Sequence, residues 1–139
     1  MTGLLPQLDF KKYPVGEVSK IINDDIIIVV MLETPKAMHN VEEIASVPGI
    51  DVLLVGTNDL CMEMGIPGEF NHNDVKEAYK KVIQACTNNN ILPGMGGVYD
   101  ETLMHEYIDL GMKFILSGSD LSFLVKGAED RLNNLKNKG

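Results

Sequence analysis

The sequence predicts an α/β protein in which four strand-then-helix units build one parallel sheet with helices outside it. Three observations predict this class: apolar runs recur four times, a segment with helical spacing follows each run, and most connections are short. The 139 residues are 45% hydrophobic and 23% charged, a composition typical of one packed domain. Two architectures satisfy the pattern, namely a small open sheet and one half of an eight-fold barrel of about 250 residues.

The first unit starts with residues 26–32, an uninterrupted apolar run of the kind found in strands that are buried on both faces. The run ends at Glu33. Thr34 is a good N-cap residue, and Pro35 suits the first position of a helix. We therefore expect a helix to begin here and to end before Pro48.

The second unit starts with residues 51–55, and Gly56 then breaks the strand. A short turn or helix is expected to continue from there to Met64. A longer helix is predicted over residues 74–88, because its apolar side chains form one stripe. The three asparagines at 88–90 favour the end of that helix.

The third and fourth strands are predicted at residues 91–95 and 114–116. The third is the weaker one, because Pro93 cannot donate a hydrogen bond to a neighbouring strand. Asp100 is expected to cap the intervening helix, and Gly111 is expected to end it. A last helix is predicted to turn an apolar stripe toward the sheet, and the stripe consists of Leu121, Leu124, Val125, Ala128, Leu132 and Leu135.

The chain divides into two segments by its pattern of elements. Residues 1–25 contain no clear strand, and their two prolines and two glycines indicate loops. We predict that they form an N-terminal covering segment with a loop and a short helix. Residues 26–139 are predicted to form the four βα units.

The charge balance excludes several classes of partner. Lysine and arginine number 12 against 20 aspartates and glutamates, so the net charge is −8, and such a surface repels nucleic-acid phosphates and anionic lipids. The longest apolar run, residues 26–32, is far shorter than the roughly 20 residues of a membrane span. Cys61 and Cys86 follow no metal-binding or redox spacing. We therefore expect a cytoplasmic protein that binds neither nucleic acid nor membrane.

Two carboxylates follow neighbouring predicted strands and are the leading candidates for a metal site. Glu33 directly follows the first apolar run, and Asp59 lies shortly after the second. Because the carboxyl ends of parallel strands meet at one edge, both carboxylates could reach a single cation. Mg²⁺ prefers oxygen ligands and keeps waters or substrate oxygens to complete its octahedron. The alternative is that each carboxylate only stabilises the start of a helix through the helix dipole.

The loop after the second strand is a candidate anion site. The backbone amides that follow Gly56 could point at a negatively charged ligand, although a plain tight turn explains the same residues. The glycine-rich segment 94–97 matches no nucleotide-binding pattern. None of the three histidines follows a predicted strand, so we expect surface or packing roles for His39, His72 and His105.

Six short motifs form one specific set along the chain. The first three are E-T-x-x-A at residues 33–37, V-P-G-x-D at 47–51 and G-x-N-D-L at 56–60. The set resembles the HpcH/HpaI aldolases, which are class II, metal-dependent pyruvate aldolases such as 2,4-dihydroxyhept-2-ene-1,7-dioate aldolase and 2-keto-3-deoxy sugar-acid aldolase. The resemblance covers nearly the whole chain. The remaining motifs are G-I-P-G at 65–68, G-M-G-G-V-Y-D at 94–100 and S-G-S-D-L at 117–121.

The resemblance implies a TIM (β/α)₈ barrel, of which this chain would be the C-terminal half. It implies cleavage of 4-hydroxy-2-oxo acids to pyruvate and an aldehyde, through a pyruvate enolate that a divalent metal stabilises. Glu33 and Asp59 match the family's metal ligands, and the implied ion is Mg²⁺, Mn²⁺ or Co²⁺. The amides of Asn58 and Asp59 match those that hold the pyruvate carboxylate. Substrate binding is thus implied for Gly56, Thr57, Asn58 and Asp59.

The resemblance also implies that part of the catalytic machinery lies elsewhere. The motifs correspond to the second half of the barrel, so the family's catalytic histidine and its pyruvate-binding arginine have no counterpart here. Arg131, the single arginine, falls in the last predicted helix. Met31 replaces the glutamine that many relatives carry two positions before the metal-binding glutamate. We therefore expect a partial barrel that associates with a complementary half or with further copies of itself.

Two other interpretations are open at the level of sequence. The first is a non-catalytic or truncated half-barrel that binds a metal ion and a keto acid, or that serves as an assembly partner. The second is a citrate-lyase-type enzyme that acts on a coenzyme A thioester. An anionic thioester favours basic residues near the site, and the predicted strand ends carry none.

Overall fold

The computed structural model describes residues 5–136 and contains one parallel sheet of four strands. The strands follow one another in the order β1-β2-β3-β4, so each strand pairs with its neighbours in sequence. This arrangement confirms the predicted succession of βα units. The strands are β1 at Val29–Leu32, β2 at Val52–Gly56, β3 at Leu92–Gly96 and β4 at Phe114–Ile115.

Helices connect the strands, as expected for a parallel sheet. One further helix, α1, precedes the first strand. Among residues 5–136, no helix has both the length and the apolar composition that crossing a membrane requires. The helices are α1 at Val15–Asp25, α2 at Pro35–His39, α3 at Val41–Ala45, α4 at Thr57–Glu63, α5 at Asn73–Asn89, α6 at Glu101–Leu110 and α7 at Asp120–Lys136.

Two predicted helix caps are present. The Thr34 hydroxyl accepts a hydrogen bond of 3.1 Å from the backbone N–H of Ala37, which starts α2. The Asp100 carboxylate accepts one of 2.9 Å from the N–H of Leu103, which starts α6. Gly111 ends α6 with a φ of 129°, a conformation that residues with a β-carbon rarely adopt. Local capping chemistry therefore determines where α2 and α6 begin.

The helix predicted from Pro35 onward is interrupted at Asn40. Asn40 has φ −98° and ψ 15°, and the chain continues as the separate short helix α3. The apolar spacing across this segment is compatible with one continuous helix and with two short helices. Both short helices still bury apolar side chains, namely Met38, Val41 and Ala45.

Strand β1 is shorter and more exposed than its sequence predicted. The strand begins at Val29, and the prediction of a strand over 26–32 that is buried on both faces is wrong. Within the described residues, β1 pairs only with β2, so one of its edges has no neighbour. The apolar side chains left exposed here are Ile26, Ile27, Ile28, Val29 and Met31.

Helix α7 forms as predicted, but it does not pack as predicted. None of the residues described for α7 is buried. Strand β4, which precedes α7, has two residues and is the other edge of the sheet. The described chain therefore provides no further element against which α7 can pack. The prediction that its stripe packs against the sheet is wrong for Leu121, Leu124, Val125, Ala128, Leu132 and Leu135.

The hydrophobic core consists mainly of buried side chains from strands β1 to β3 and from helices α2 to α6. Strand β2 is buried along its whole length, because it has a strand on each side. Helix α5 contributes its predicted apolar stripe to this core. Helix α1 is the short helix that was predicted for the N-terminal segment. Residues 1–4 of that segment lie outside the described part of the chain, and so do residues 137–139.

Candidate functional site

The carboxyl ends of the first three strands surround an open cavity of about 210 Å³. Glu33 follows β1, Gly56 ends β2 and Gly96 ends β3. The cavity brings together all the residues that the sequence singled out for metal and substrate binding. Its lining consists of Met31, Glu33, Gly56, Thr57, Asn58, Asp59, Gly96, Gly97, Tyr99 and Leu116.

One wall of the cavity is formed by the close approach of Glu33 to Gly56. A β-carbon added to Gly56 would lie 2.6 Å from Cγ of Glu33 and 2.7 Å from its Oε1. Only glycine leaves room for the Glu33 side chain in this position. The end of β2 therefore holds the Glu33 carboxylate beside the segment that carries Asp59.

Gly97 and Asn58 make a second close contact in the cavity lining. Gly97 has a φ of +85°, and a β-carbon on it would lie 2.9 Å from Nδ2 of Asn58 and 3.2 Å from its backbone nitrogen. Glycine is required here both by the backbone conformation and by the close contact. The loop after β3 can thus lie directly against the first turn of α4.

Thr57 links the cavity lining to β3 and α5 through hydrogen bonds. Its side chain is fully buried, and its Oγ1 lies 2.7 Å from the Gly96 carbonyl oxygen and 2.7 Å from the Tyr79 hydroxyl. A carbonyl oxygen only accepts hydrogen bonds, so the Thr57 hydroxyl donates to Gly96. Because that hydroxyl has one proton, Tyr79 must donate to Thr57.

Tyr79 belongs to a pair of buried tyrosines. Its ring stacks on that of Tyr107, with the ring centroids 3.9 Å apart, and the Tyr107 hydroxyl donates to the Phe70 carbonyl oxygen. Burial raises the pKa of Tyr79 to about 12, although its hydrogen bond with Thr57 acts in the opposite direction. Burial also raises the pKa of Tyr107. Both hydroxyls therefore remain protonated donors at neutral pH.

Tyr79 was not identified from the sequence. It lies on the apolar stripe of α5, where the helical spacing assigns it only to the core. The hydroxyl group is the one feature of Tyr79 that indicates a further role, since a buried tyrosine usually needs a hydrogen-bond partner. The partner could not be inferred, because Thr57 lies 22 residues away in sequence.

The side chains at the cavity offer oxygen donors for a hard cation. In the described part of the chain, no group of three or more His, Cys, Asp and Glu residues converges to hold a metal ion. The cavity instead contains two carboxylates, those of Glu33 and Asp59. This donor set fits an ion such as Mg²⁺, which takes one or two carboxylates and completes its shell with water or substrate oxygens.

The histidines lie away from this cavity, as expected. His39 ends α2 and His105 lies within α6. His72 precedes α5, where its Nδ1 accepts a 3.2 Å hydrogen bond from the Asp74 N–H. No histidine, lysine or arginine is among the cavity-lining residues of the described chain. The cavity therefore has carboxylates but no basic side chain.

Neither cysteine is suited to act as a nucleophile. Cys61 and Cys86 are both free and buried. Burial, together with the nearby Glu69 carboxylate, raises the pKa of the Cys61 thiol, and burial raises that of Cys86 to about 11. Both side chains are thiols at neutral pH and act as core residues.

Fold and site together define a parallel βα protein whose cavity lies at the carboxyl ends of the strands and contains two carboxylates. Residues 9–127 match the model of the HpcH/HpaI aldolase/citrate lyase family. The chain belongs to this family.

Relatives of known name and structure agree with that assignment. The chain is 34% identical over 133 residues to 4-hydroxy-4-methyl-2-oxoglutarate aldolase of Chaetomium globosum, covering 94% of this chain and 49% of that protein. It is 33% identical over 107 residues to 4-hydroxy-2-oxo-heptane-1,7-dioate aldolase of Escherichia coli, covering 77% and 40%. The crystal structure of an HpcH/HpaI aldolase from Desulfitobacterium hafniense superposes with a TM-score of 0.75 at 27% identity, covering 94% and 51%.

The chain thus spans about half the length of the curated relatives it matches. It also corresponds to about half of the solved aldolase chain. Together with the strand order, this agreement confirms the prediction that the four βα units form half of a barrel rather than a complete small sheet.

Proposed function

We propose that the chain supplies the metal-binding half of an aldolase site that cleaves 4-hydroxy-2-oxo acids to pyruvate, or a related 2-oxo acid, and an aldehyde. The observation that carries the proposal is the convergence of Glu33 and the segment 56–59 on one cavity at the carboxyl ends of the strands. Both relatives described above are named for 4-hydroxy-2-oxo acids, which favours the same substrate class here.

Glu33 and Asp59 are the proposed ligands of a divalent metal ion, Mg²⁺, Mn²⁺ or Co²⁺. When bound, such an ion supplies Lewis-acid stabilisation of the negative charge that develops on a 2-oxo acid. Glu33 is suited to this role because Gly56 lets its carboxylate lie against β2. Asp59 lies in the first turn of α4, on the same cavity.

The segment 56–59 is the proposed binding site for the substrate's 2-oxo acid end. The end of β2 and the first turn of α4 form this part of the cavity lining, which consists of Gly56, Thr57, Asn58 and Asp59. Glycines at positions 56 and 97 leave room for the Glu33 side chain and for Asn58 to lie against the backbone at the cavity. In this proposal, the amides of Asn58 and Asp59 bind and orient the carboxylate.

The proton-transfer group is proposed to come from outside the described residues. The cavity contains no basic side chain among residues 5–136. The unpaired edge of β1 and its exposed apolar side chains support association with a complementary half-barrel or with further copies of the chain. A cytoplasmic location is also proposed, which the two free, buried cysteines support.

Mn²⁺ binding to the purified chain tests the metal site directly. We expect electron paramagnetic resonance to show bound Mn²⁺. We also expect pyruvate to tighten the binding of Mn²⁺. Glu33→Gln and Asp59→Asn are each expected to weaken Mn²⁺ binding by at least ~10-fold, since loss of a ligand affects affinity more than loss of an outer hydrogen-bond partner. The matched control is Glu43→Gln, which removes an exposed carboxylate from α3. Equal Mn²⁺ affinity in Glu33→Gln and Glu43→Gln would contradict the assignment.

Complementation tests the proposed reaction. The chain is mixed with the first four βα units of a family member, and release of pyruvate from a 4-hydroxy-2-oxo acid is followed. We expect turnover only when both halves are present, and loss of turnover with Glu33→Gln. Turnover by this chain alone would instead place the proton-transfer group within it.

A further inference from the structure

We propose that Tyr79 is a positioning residue, which acts through the Thr57 hydroxyl to hold the first turn of α4 against the end of β3. Where it concerns metal binding, the inference rests on the proposed function. Its structural core is independent of any ligand, because it concerns the position of Asn58 and Asp59 relative to Gly96.

The hydrogen bonds run in one direction from α5 to the sheet. Tyr79 donates to Thr57, and Thr57 donates to the carbonyl oxygen of Gly96, with both distances 2.7 Å. The Thr57 oxygen accepts one bond and donates one, so it cannot rotate without breaking both. Three separate elements, α5, α4 and β3, are joined at this one atom.

The donor itself has little freedom to move. Tyr79 is fully buried, and its ring stacks on the ring of Tyr107, which is fully buried as well. The hydroxyl therefore has no access to bulk water, and loss of its bond with Thr57 would leave a buried polar group unsatisfied. No buried side-chain polar atom of the described residues lacks a partner at present.

In the described chain, the Thr57 hydroxyl makes the side-chain hydrogen bonds that join segment 56–59 to β3 and α5. Gly56 occupies the N-cap position of α4 and provides no side-chain cap, and Asn58 and Asp59 are exposed. Among the described residues, no other side-chain hydrogen bond joins 56–59 to the remaining structure. The Thr57 hydroxyl thus adds side-chain hydrogen bonds to the pairing of Gly56 with Gly96 and to the contact of Asn58 with Gly97.

The pair of stacked tyrosines provides a matched experiment. Tyr79→Phe keeps the ring and removes the hydroxyl that bonds to Thr57. Tyr107→Phe makes the same change in the neighbouring ring, whose hydroxyl bonds to Phe70 and not to the cavity. Each variant loses one hydrogen bond made by the hydroxyl of a buried tyrosine, so a purely structural role predicts no selective effect of Tyr79→Phe on the cavity.

The first readout is ligand-free and uses backbone amide signals in nuclear magnetic resonance spectra. We expect Tyr79→Phe to shift the amide signals of Asn58, Asp59 and Gly97 and to speed their hydrogen exchange about two- to tenfold, corresponding to loss of one net hydrogen bond. Tyr107→Phe is expected to leave these three signals at their wild-type positions. Changes confined to α5 in Tyr79→Phe would overturn the proposal.

The second readout is Mn²⁺ affinity in the same two variants. We expect a two- to tenfold weaker affinity for Tyr79→Phe and no change for Tyr107→Phe, at similar thermal stability. If the wild-type chain binds no Mn²⁺ but the amide signals respond as expected, the proposed function fails and the positioning role stands. If Mn²⁺ binds equally to all three proteins and the amide signals of Asn58, Asp59 and Gly97 do not shift, the positioning role fails and the metal site stands.

A measurement on the wild-type chain covers the case in which Tyr79→Phe does not fold. A hydroxyl proton that is buried and hydrogen-bonded exchanges slowly enough to be observed. We expect such a resonance for Tyr79, with a nuclear Overhauser contact to the Thr57 methyl group. Rapid exchange of this proton with solvent would show that the link to Thr57 does not hold the segment.

Discussion

Glu33 and Gly56 are in such close contact that the side chain of one occupies the space where a side chain of the other would begin. A β-carbon on Gly56 would lie 2.6 Å from Glu33 Cγ and 2.7 Å from Oε1. The contact joins the ends of two adjacent strands, since Glu33 follows β1 and Gly56 ends β2. It determines the position of one of the two carboxylates at the cavity.

Gly56→Ala is expected to displace the Glu33 carboxylate from the cavity without unfolding the protein. The atoms in the way belong to a flexible side chain that can rotate aside, so we expect a loss of stability below about 2 kcal/mol. Mn²⁺ affinity should fall at least ~10-fold, because the carboxylate moves. Isothermal titration calorimetry with Mn²⁺ and urea unfolding measure the two effects separately.

The control for this variant is Gly16→Ala, at a helical position with no atom within 4 Å of the added β-carbon. We expect it to leave Mn²⁺ affinity unchanged and to stabilise α1 slightly. If Gly56→Ala binds Mn²⁺ as tightly as Gly16→Ala, Glu33 does not need its present position to bind the metal.

Gly97→Ala is expected to destabilise the fold more than an equivalent change elsewhere. Gly49 and Gly97 both have positive φ, +92° and +85°, so alanine at either position costs about 1–2 kcal/mol in backbone strain. Only at Gly97 does the new β-carbon also meet Asn58, including its backbone nitrogen at 3.2 Å. Urea unfolding should therefore give a total loss of about 2–4 kcal/mol for Gly97→Ala. Equal losses for the two variants would disprove the close contact with Asn58.

The stability that Tyr79 contributes should decrease at alkaline pH. Its pKa is raised from 10 in the unfolded chain to about 12 in the folded protein. The folded state thus retains the proton more strongly, and this contribution is complete below pH 10 and is lost as pH rises through 12. Between pH 8 and pH 11, wild type should lose about 1 kcal/mol more unfolding free energy than Tyr79→Phe.

Urea unfolding at the two pH values measures this difference. Tyr99→Phe, which removes an exposed hydroxyl, is the control and should follow the wild type. An identical pH dependence of wild type and Tyr79→Phe would show that the Tyr79 hydroxyl is not buried as described.

The exposed edge of β1 should cause the purified chain to associate. Val29 begins β1 and is 37% exposed, and Ile27, two residues before the strand, is 61% exposed. In the described chain, one edge of β1 is unpaired. We expect sedimentation velocity to give a mass above that of the monomer, and Ile27→Lys with Val29→Lys to reduce it. Met62→Lys, which changes an exposed apolar residue on α4, is the control. A monomeric wild-type chain would contradict this prediction.

Much of the fold could be predicted from local chemistry. Thr34 and Asp100 cap helices as expected, because a cap depends on residues within one turn of the chain. Glu33 and Asp59 could be placed at one edge because parallel strands align their carboxyl ends. The break at Asn40 could not be predicted, since continuous and interrupted helices bury the same apolar positions.

The sequence alone determined the order of the elements, the family and the residues at the strand ends, since these follow from periodicity, capping and motifs that are local in the chain. Only the tertiary structure decided which apolar surfaces are covered and which distant groups meet. Periodicity indicates that Val29 and Leu124 prefer burial, but burial requires a neighbouring element, and the described chain provides none for either. The link from Tyr79 through Thr57 to Gly96 spans 22 and 39 residues and depends on strand register and on the packing of α5. No local pattern in the chain encodes the strand register or the packing of α5.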